Sequence, residues 1–216
     1  SRPDISYSTN SLARKVNNFT DQDVLQVKRV LRYLKMTKNL QLDFKTGPMT
    51  ISGYADASWD RTSTSGYVLF MGTNLINWRS SKQKVVSRSS TEAELRALSD
   101  AAQDMLFFVH LMNELHISLP VMDLYSDNQG AITVSNDDLK VRKRLKHVDI
   151  ADLFVQDAVE KKILHVSYIP TEENLADGLT KPLLKTKFYS FVKSIRMNTS
   201  SIEKECEETI ETPQKL

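Results

Sequence analysis

The sequence predicts an α/β protein in which helices flank a mixed, five-stranded sheet and a helical segment precedes the sheet. Three observations predict this class. The chain before residue 46 carries apolar side chains at helical spacing only. Beyond that point, short apolar runs bounded by turn residues indicate five strands. Helical stretches follow the third, the fourth and the fifth of these strands, which is the order of a mixed-sheet α/β layout.

The first part of the chain is predicted to be helical up to about residue 45. An apolar stripe at helical spacing runs from Val24 to Leu34, and either Thr20 or Asp21 is the expected N-cap. If this stripe has lost its natural partner, we expect it to form an exposed apolar patch.

The turn residues at 46–48 (Thr-Gly-Pro) end this helical pattern, so we place a domain boundary there. We predict a helical segment at 1–46, a principal domain at 47–197 and a polar, acidic tail at 198–216. The tail lacks the apolar side chains that would offset the loss of conformational entropy, so we expect it to be disordered. The chain opens without an initiator methionine, and we expect that it was cut from a longer protein.

The principal domain is divided by turn signals into short strands and longer helices. The predicted strands lie at 49–56, 66–71, 75–78, 121–126 and 163–169, and the predicted helices at 91–115, from about 128, at 148–161, 171–179 and 187–195. In the last strand Leu164, Val166 and Tyr168 share one face. The two tryptophans, Trp59 and Trp78, are expected to belong to the core.

Composition excludes several classes of protein. The formal net charge is +2, so any argument for nucleic acid must come from local charge. With a single cysteine, Cys206, no intrachain disulfide can form, which fits a reducing compartment. No uncharged apolar run approaches the roughly 18–20 residues of a membrane span, and no secretory signal opens the chain. We therefore expect a cytoplasmic or nuclear protein.

Four acidic residues stand at the ends of predicted elements: Asp56, Glu94, Asp127 and Asp177. Hydrolysis of a phosphodiester needs an activated water and a stabilised leaving oxygen, which two hard cations about 4 Å apart can supply. Mg²⁺ prefers oxygen ligands and keeps several waters, so a few carboxylates suffice. The absence of a Cys/His ligand cluster argues against zinc. Each acid also has a structural alternative, as a turn residue, a helix cap or a first-turn acid.

Helical phase separates Glu94 from Glu92. At about 100° per residue, Glu94 lies roughly 50° and Glu92 roughly 110° from the centre of the apolar stripe of the 91–115 helix. Glu94 therefore points towards the core, where a carboxylate needs a partner such as a metal. Ser89 with Glu92 fits a capping box, but Thr91 with Glu94 fits one as well, so a capping role for Glu94 stays open.

Several motifs resemble the Ty1/copia class of retrotransposon Pol polyproteins, in the order found there. They are Ser-Thr-Ser-Gly-Tyr-Val (63–68), Ser-Arg-Ser-Ser-Thr-Glu-Ala-Glu-Leu-Arg-Ala-Leu (87–98), Leu-Tyr-Ser-Asp-Asn-Gln-Gly-Ala-Ile (124–132), Lys-His-Val-Asp-Ile (146–150) and Tyr-Ile-Pro-Thr-Glu-Glu-Asn-Leu-Ala-Asp-Gly-Leu-Thr-Lys-Pro-Leu (168–183). Segments 2–7 and 27–35 resemble the connection between reverse transcriptase and RNase H in those polyproteins.

The resemblance implies an RNase H fold, in which the first three strands are antiparallel. It also implies catalysis by the four acids: Asp56 would bridge two Mg²⁺ ions, Glu94 and Asp127 would bind on one side and Asp177 on the other, with Mn²⁺ as a substitute. The implied substrate is the RNA strand of an RNA–DNA hybrid during reverse transcription, and the implied partner is the upstream reverse transcriptase domain.

Two departures from the family support an alternative. Ser58 stands where copia-type sequences usually carry a second acid, and the turn after it is short. The loop before Asp177 also lacks the histidine of many cellular RNases H, as copia relatives do. The alternative is a degenerate or domesticated RNase H fold that binds nucleic acid or a partner without cutting. An integrase-type nuclease is disfavoured by the sequence around Glu94.

Local charge indicates where a hybrid would bind. Basic residues cluster between two predicted helices: Arg142, Lys143, Arg144, Lys146 and His147. Beside an RNase H site they are expected to contact phosphates. Arg88 belongs to a second basic group, and Asn128 and Gln129 follow Asp127, where they would reach the minor groove or the 2′-hydroxyls. A solvated loop and helix capping are the structural alternatives.

Overall fold

The computed structural model describes residues 2–60, 63–136 and 150–198. The basic residues from Arg142 to His147, and all but the first residue of the predicted tail, lie outside these ranges. The elements are α1 (Ser6–Ala13), α2 (Asp21–Met36), β1 (Ile51–Ala57), β2 (Thr64–Met71), β3 (Asn74–Lys82), α3 (Ser90–Glu114), β4 (Met122–Ser126), α4 (Gln129–Asn136), α5 (Ile150–Glu160), β5 (Leu164–Tyr168) and α6 (Lys185–Ser194).

The strands form one five-stranded sheet with the order β3-β2-β1-β4-β5. The first three strands are antiparallel neighbours, whereas β1–β4 and β4–β5 are parallel pairs. This topology confirms the mixed sheet and the antiparallel start predicted for an RNase H fold. Because β1 and β4 run in the same direction, both strands end at the same edge of the sheet.

The sheet is covered on both faces, since successive residues of β2 point to opposite sides. Leu69 faces α3 and packs with its buried stripe, which includes Leu98 and Met105. Val68 and Phe70 face α6 and belong to a second core with Phe191, Val192 and Ile195. At Gly53 of β1 an added Cβ would lie 2.8 Å from Leu69 Cδ2, so the first core leaves no space for a side chain there.

The N-terminal segment is less helical than predicted. Helix α2 begins at the expected N-cap Thr20, which forms a capping box with Asp23, but it ends at Met36, so the prediction of helix to residue 45 is wrong. Half of the apolar stripe is exposed, with Leu25 57% and Leu31 58% accessible, because the described residues cover only one side of it. Helix α1 contacts the sheet edge, where Asn10 Nδ2 donates to the Ser80 carbonyl at 2.5 Å.

Two further predictions need correction. The helix predicted at 171–179 is a pair of 3₁₀ turns, Thr171–Glu173 and Asp177–Leu179. The side chain of Asn174 separates them, since its Oδ1 accepts from the Ala176 amide and its Nδ2 donates to the Ala55 carbonyl. Trp78 packs against the core, but Trp59 is 59% exposed.

No helix in the described ranges is long and apolar enough to cross a membrane.

Candidate metal centre and active site

Three of the four predicted acids meet at the edge where β1 and β4 end. Asp56 is the penultimate residue of β1, Asp127 directly follows β4, and Glu94 lies in the first part of α3. One carboxylate oxygen from each lies within 4.8 Å of the other two. Asp56 is 5% and Glu94 6% exposed. The fold thus brings together side chains that are 33 to 71 residues apart (127 − 94 and 127 − 56).

Asp177 approaches this group from the other side, in the 3₁₀ turn Asp177–Leu179. Its Oδ1 pairs with Lys181 Nζ at 2.6 Å, and its negative charge contributes to the raised pKa values of Asp56 and Glu94. Asp177 is therefore close enough to interact electrostatically, but it does not belong to the tight group of three. It lies on a 3₁₀ turn rather than on the helix that the resemblance implies.

Burial and mutual repulsion dominate the electrostatics of the group. Burial, with the nearby charges of Asp56 and Asp127, raises the pKa of the Glu94 carboxyl from 4.5 to about 9. Burial also raises the pKa of Asp56 from 3.8 to about 6, although a hydrogen bond from Thr180 acts in the opposite direction. The group therefore cannot ionise completely at neutral pH without added positive charge.

A divalent cation fits this group. Among the described residues, Glu94 Oε2 is buried and has no hydrogen-bond partner, while the Ala57 amide donates to the same carboxylate. A buried anionic oxygen without a partner is costly, and a cation between the carboxylates removes that cost. Because the grouped ligands are all carboxylates, a hard ion such as Mg²⁺ suits them better than zinc.

Glu92 has the structural role that its helical phase predicts. Its amide donates to the N-cap Ser89 Oγ at 3.1 Å, and its carboxylate accepts from the Arg88 amide and pairs with Arg96 at 3.0 Å. Thr91 lies inside α3, so it cannot be the N-cap that the capping alternative for Glu94 requires. Glu94 thus faces the core without a capping partner.

Two residues that were not predicted complete the surroundings. Thr180 Oγ1 donates to Asp56 Oδ2, and Lys181 Nζ pairs with Asp177. Thr180 can approach because β2 carries Gly66 opposite Asp56, where an added Cβ would lie 2.7 Å from Thr180 Cγ2. The sequence offers one signal for Thr180 and Lys181, which is their position three and four residues after Asp177. That spacing places all three residues on one side of a helical turn.

The predicted hybrid-binding residues have mixed outcomes. Asn128 caps α4, because its Oδ1 accepts from the Ala131 amide at 2.9 Å. The helix-capping alternative is therefore correct for Asn128. It is wrong for Asp127, since Asn128 holds the N-cap position. Gln129 and Arg88 are exposed near the carboxylates, beside the starts of α4 and α3. The remaining candidates, Arg142 to His147, lie outside the described residues.

A sheet of this order, with carboxylates from the end of its first strand, the start of α3 and the end of its fourth strand, defines a protein of the RNase H-like fold class. An N-terminal RNase H domain from Mycobacterium tuberculosis superposes with a TM-score of 0.45 at 15% identity, covering 68% of this chain and 98% of that one. The fold assignment rests on strand order and register. No family model matches the chain.

Relatives identify the family. The chain is 38% identical over 203 residues to the retrovirus-related Pol polyprotein from transposon RE1 of Arabidopsis thaliana, covering 90% of this chain and 14% of that protein. It is 32% identical over 192 residues to the Pol polyprotein from transposon TNT 1-94 of Nicotiana tabacum, covering 87% and 14%. The chain belongs to the Ty1/copia type of retrotransposon Pol polyprotein, and it spans about a seventh of the length of these relatives.

Proposed function

We propose that this chain is a retrotransposon-type ribonuclease H, which hydrolyses the RNA strand of RNA–DNA hybrids during reverse transcription. The observation that carries the proposal is the group of Asp56, Glu94 and Asp127, in which two acids are buried and one oxygen of Glu94 lacks a hydrogen-bond partner in the part of the chain that the structure describes. A group that combines like charges with an unsatisfied oxygen costs stability, so a bound ligand is the physical reason for it.

Asp56, Glu94 and Asp127 would hold divalent cations, with Asp56 shared between two ions and Asp177 on the second one. When bound, Mg²⁺, or Mn²⁺ in its place, activates water and stabilises the leaving oxygen. Thr180 holds Asp56 in place by donating to its Oδ2. Lys181 neutralises Asp177 through their ion pair, and a cation held by Asp177 would leave the Lys181 ammonium available for a phosphate.

The hybrid would lie across the edge at which β1 and β4 end. Gln129 and Arg88 are exposed there and are available for minor-groove and phosphate contacts. The basic residues Arg142 to His147 are proposed as a further phosphate-binding group, because they concentrate positive charge in a short stretch of the sequence. The Pol relatives motivate an upstream reverse transcriptase domain as the partner that supplies the hybrid.

The test is cleavage of a labelled RNA–DNA hybrid with Mg²⁺ and then with Mn²⁺. Asp127→Asn is expected to reduce cleavage at least about a hundredfold, because the removed charge is needed to hold the ion. Asp123→Asn is the matched control. Asp123 lies on β4, the strand that Asp127 follows, but its side chain is 48% exposed and pairs with His165 at 3.4 Å, so its loss should leave cleavage unchanged.

A folded wild-type chain that binds hybrid but cuts nothing with either ion would contradict the enzyme proposal and favour the binding module. The observation behind that alternative is the short connection after β1. There Ser58, in the place of the family's second acid, closes the hairpin by accepting from the Thr64 amide at 3.0 Å.

A further inference from the structure

A groove of about 660 Å³ opens beside the candidate active site, between α1, α2, α6 and the segment that joins the 3₁₀ turn to α6. Its volume lies within the range of roughly 300–1,000 Å³ that is usual for ligand clefts. Its walls come from the N-terminal helices and from the C-terminal part of the chain. Lys181 is the one residue of these walls that also has a role in the proposed reaction.

The groove is lined by positive charge. Lys15, Arg29, Lys181 and Lys185 all line it, whereas Asp4 is the only acid among its described lining residues. The Asp4 carboxylate has no exposed surface, because it pairs with Arg2 at 2.7 Å and accepts from the Tyr33 hydroxyl at 2.8 Å. Its charge is therefore neutralised, and the groove favours an anionic ligand.

Two of the four cations already have acidic partners. Lys15 pairs with Asp23 at 2.6 Å, and Lys181 pairs with Asp177. Arg29 on α2 and Lys185 at the start of α6 have no ion pair with any residue in the described ranges. These two cations line the same groove from different helices, so a ligand that carries repeated negative charges along its length can contact both of them, whereas a small single anion contacts fewer cations.

Tyrosine rings line the groove together with these cations. Tyr7 and Tyr189 are among its lining residues, and Lys185 Nζ lies 5.9 Å from the centre of the Tyr189 ring. Aromatic rings in a cationic groove are suited to nucleobases, which stack on rings while the backbone phosphates contact the cations. An acidic peptide would use the cations but would gain less from the rings.

The groove is continuous with the carboxylate site. Lys181 lines the groove and contacts Asp177, and Gly178 of the same turn forms part of the wall. An added Cβ at Gly178 would lie 2.7 Å from the Phe191 ring, so packing against α6 holds this turn in place. A strand that leaves the carboxylate site past Lys181 would enter the groove directly.

We propose that this groove binds a single strand of nucleic acid that extends beyond the hybrid, with Arg29 and Lys185 contacting its phosphates. The position of the strand relative to the scissile bond rests on the proposed function, but the binding does not. The N-terminal helices would then be part of the substrate-binding surface as well as a connection to an upstream domain.

The test measures binding of the full chain, without divalent ions, to a blunt RNA–DNA hybrid and to hybrids extended by single-stranded RNA or DNA. Arg29→Glu with Lys185→Glu should weaken binding of an extended hybrid roughly tenfold and lower the salt slope by roughly 1 to 2, while affecting the blunt hybrid less. The matched control is Lys28→Glu with Lys35→Glu. It makes the same change in net charge on exposed residues of α2 that do not line the groove, and it should change binding less than about twofold.

Equal losses in the two double variants would overturn the proposal, because net charge alone would then explain binding. An acidic peptide that displaces the extended hybrid as well as a free oligonucleotide does would overturn it too. A preference for either the RNA or the DNA extension supports the proposal and identifies the strand. If the wild type fails to cleave while the two double variants still differ in binding, the proposed function fails and the groove stands.

Discussion

Two carboxylates of this chain are equally buried but have opposite surroundings. Asp4 is 4% exposed and is fully engaged by Arg2 and Tyr33, while Glu94 is 6% exposed and keeps one oxygen without a partner beside two other acids. The first arrangement joins the N-terminal turn to α2. The second costs stability in the absence of a ligand, and the difference separates a structural acid from a candidate cation ligand.

The sharpest test of this comparison is Asp4→Asn. The substitution leaves the buried side of Arg2 without its anion, so we expect the free energy of unfolding to fall by about 3 kcal/mol. Urea denaturation measures this change. Asp157→Asn removes the exposed ion pair with Lys161 and should lower the free energy of unfolding by less than about 0.5 kcal/mol. Equal losses in the two variants would show that burial does not determine how much an ion pair contributes to stability.

Glu94→Gln should change the free energy of unfolding in the opposite direction to Asp4→Asn. At pH 8 the Glu94 carboxyl must take up a proton on folding, because its pKa rises from 4.5 to about 9, whereas a Gln side chain is neutral in both states. The free energy of unfolding of the metal-free protein at pH 8 should therefore rise by on the order of 2 kcal/mol. The same variant should lose its stabilisation by Mg²⁺. Glu92→Gln is the control two residues away, and it should lower stability because it breaks contacts with Arg88 and Arg96. A loss of metal-free stability in Glu94→Gln would contradict the comparison.

The pH dependence of stability follows from the same acids. Since the pKa of Glu94 rises from 4.5 to about 9 on folding, the folded state binds more protons than the unfolded state between these values. The free energy of unfolding of the metal-free protein should therefore contain a term that falls as the pH rises through this window. Thermal denaturation with a chelator measures it. Saturating Mg²⁺ should flatten the dependence, and an equally steep fall with Mg²⁺ would contradict the assignment.

The smallest effect is expected at Thr180. In Thr180→Val the carboxylate of Asp56 loses a hydrogen bond that lowers its pKa, so more of it is protonated near pH 6. We expect Mn²⁺ to bind about fivefold more weakly at pH 6, with a smaller loss at pH 8. Titration calorimetry at both pH values measures this. Thr180→Ser keeps the hydroxyl and should behave as the wild type does, whereas equal losses in both variants would indicate a packing effect.

Sequence periodicity predicted most of the sheet and the direction of Glu94. The strands of the first hairpin and the buried stripe of α3 carry strong local patterns, because alternate residues and every third or fourth residue face a core. Helical phase separated Glu94 from Glu92 for the same reason. The antiparallel pairing of the first three strands was predicted only through the family resemblance, and the full strand order was not predicted.

The features that were missed depend on contacts between distant residues. The two 3₁₀ turns arise where Asn174 bonds to the Ala55 carbonyl, and no local pattern encodes a partner so far away in the chain. Thr180 contributes through its approach to Gly66, which also depends on the folded sheet. Trp59 was expected in the core from its residue type, but the turn after β1 leaves it exposed.

The hydrogen bond from Thr180 to Asp56 joins residues 124 positions apart. Closing so large a loop is entropically costly, and folding slows when such contacts must form. A ribosome that synthesises this chain releases Asp56, Glu94 and Asp127 long before Thr180. The carboxylate site can therefore reach its final geometry only after β5 and the 3₁₀ turn Asp177–Leu179 have emerged. The ability to bind a metal would then depend on synthesis of nearly the whole domain.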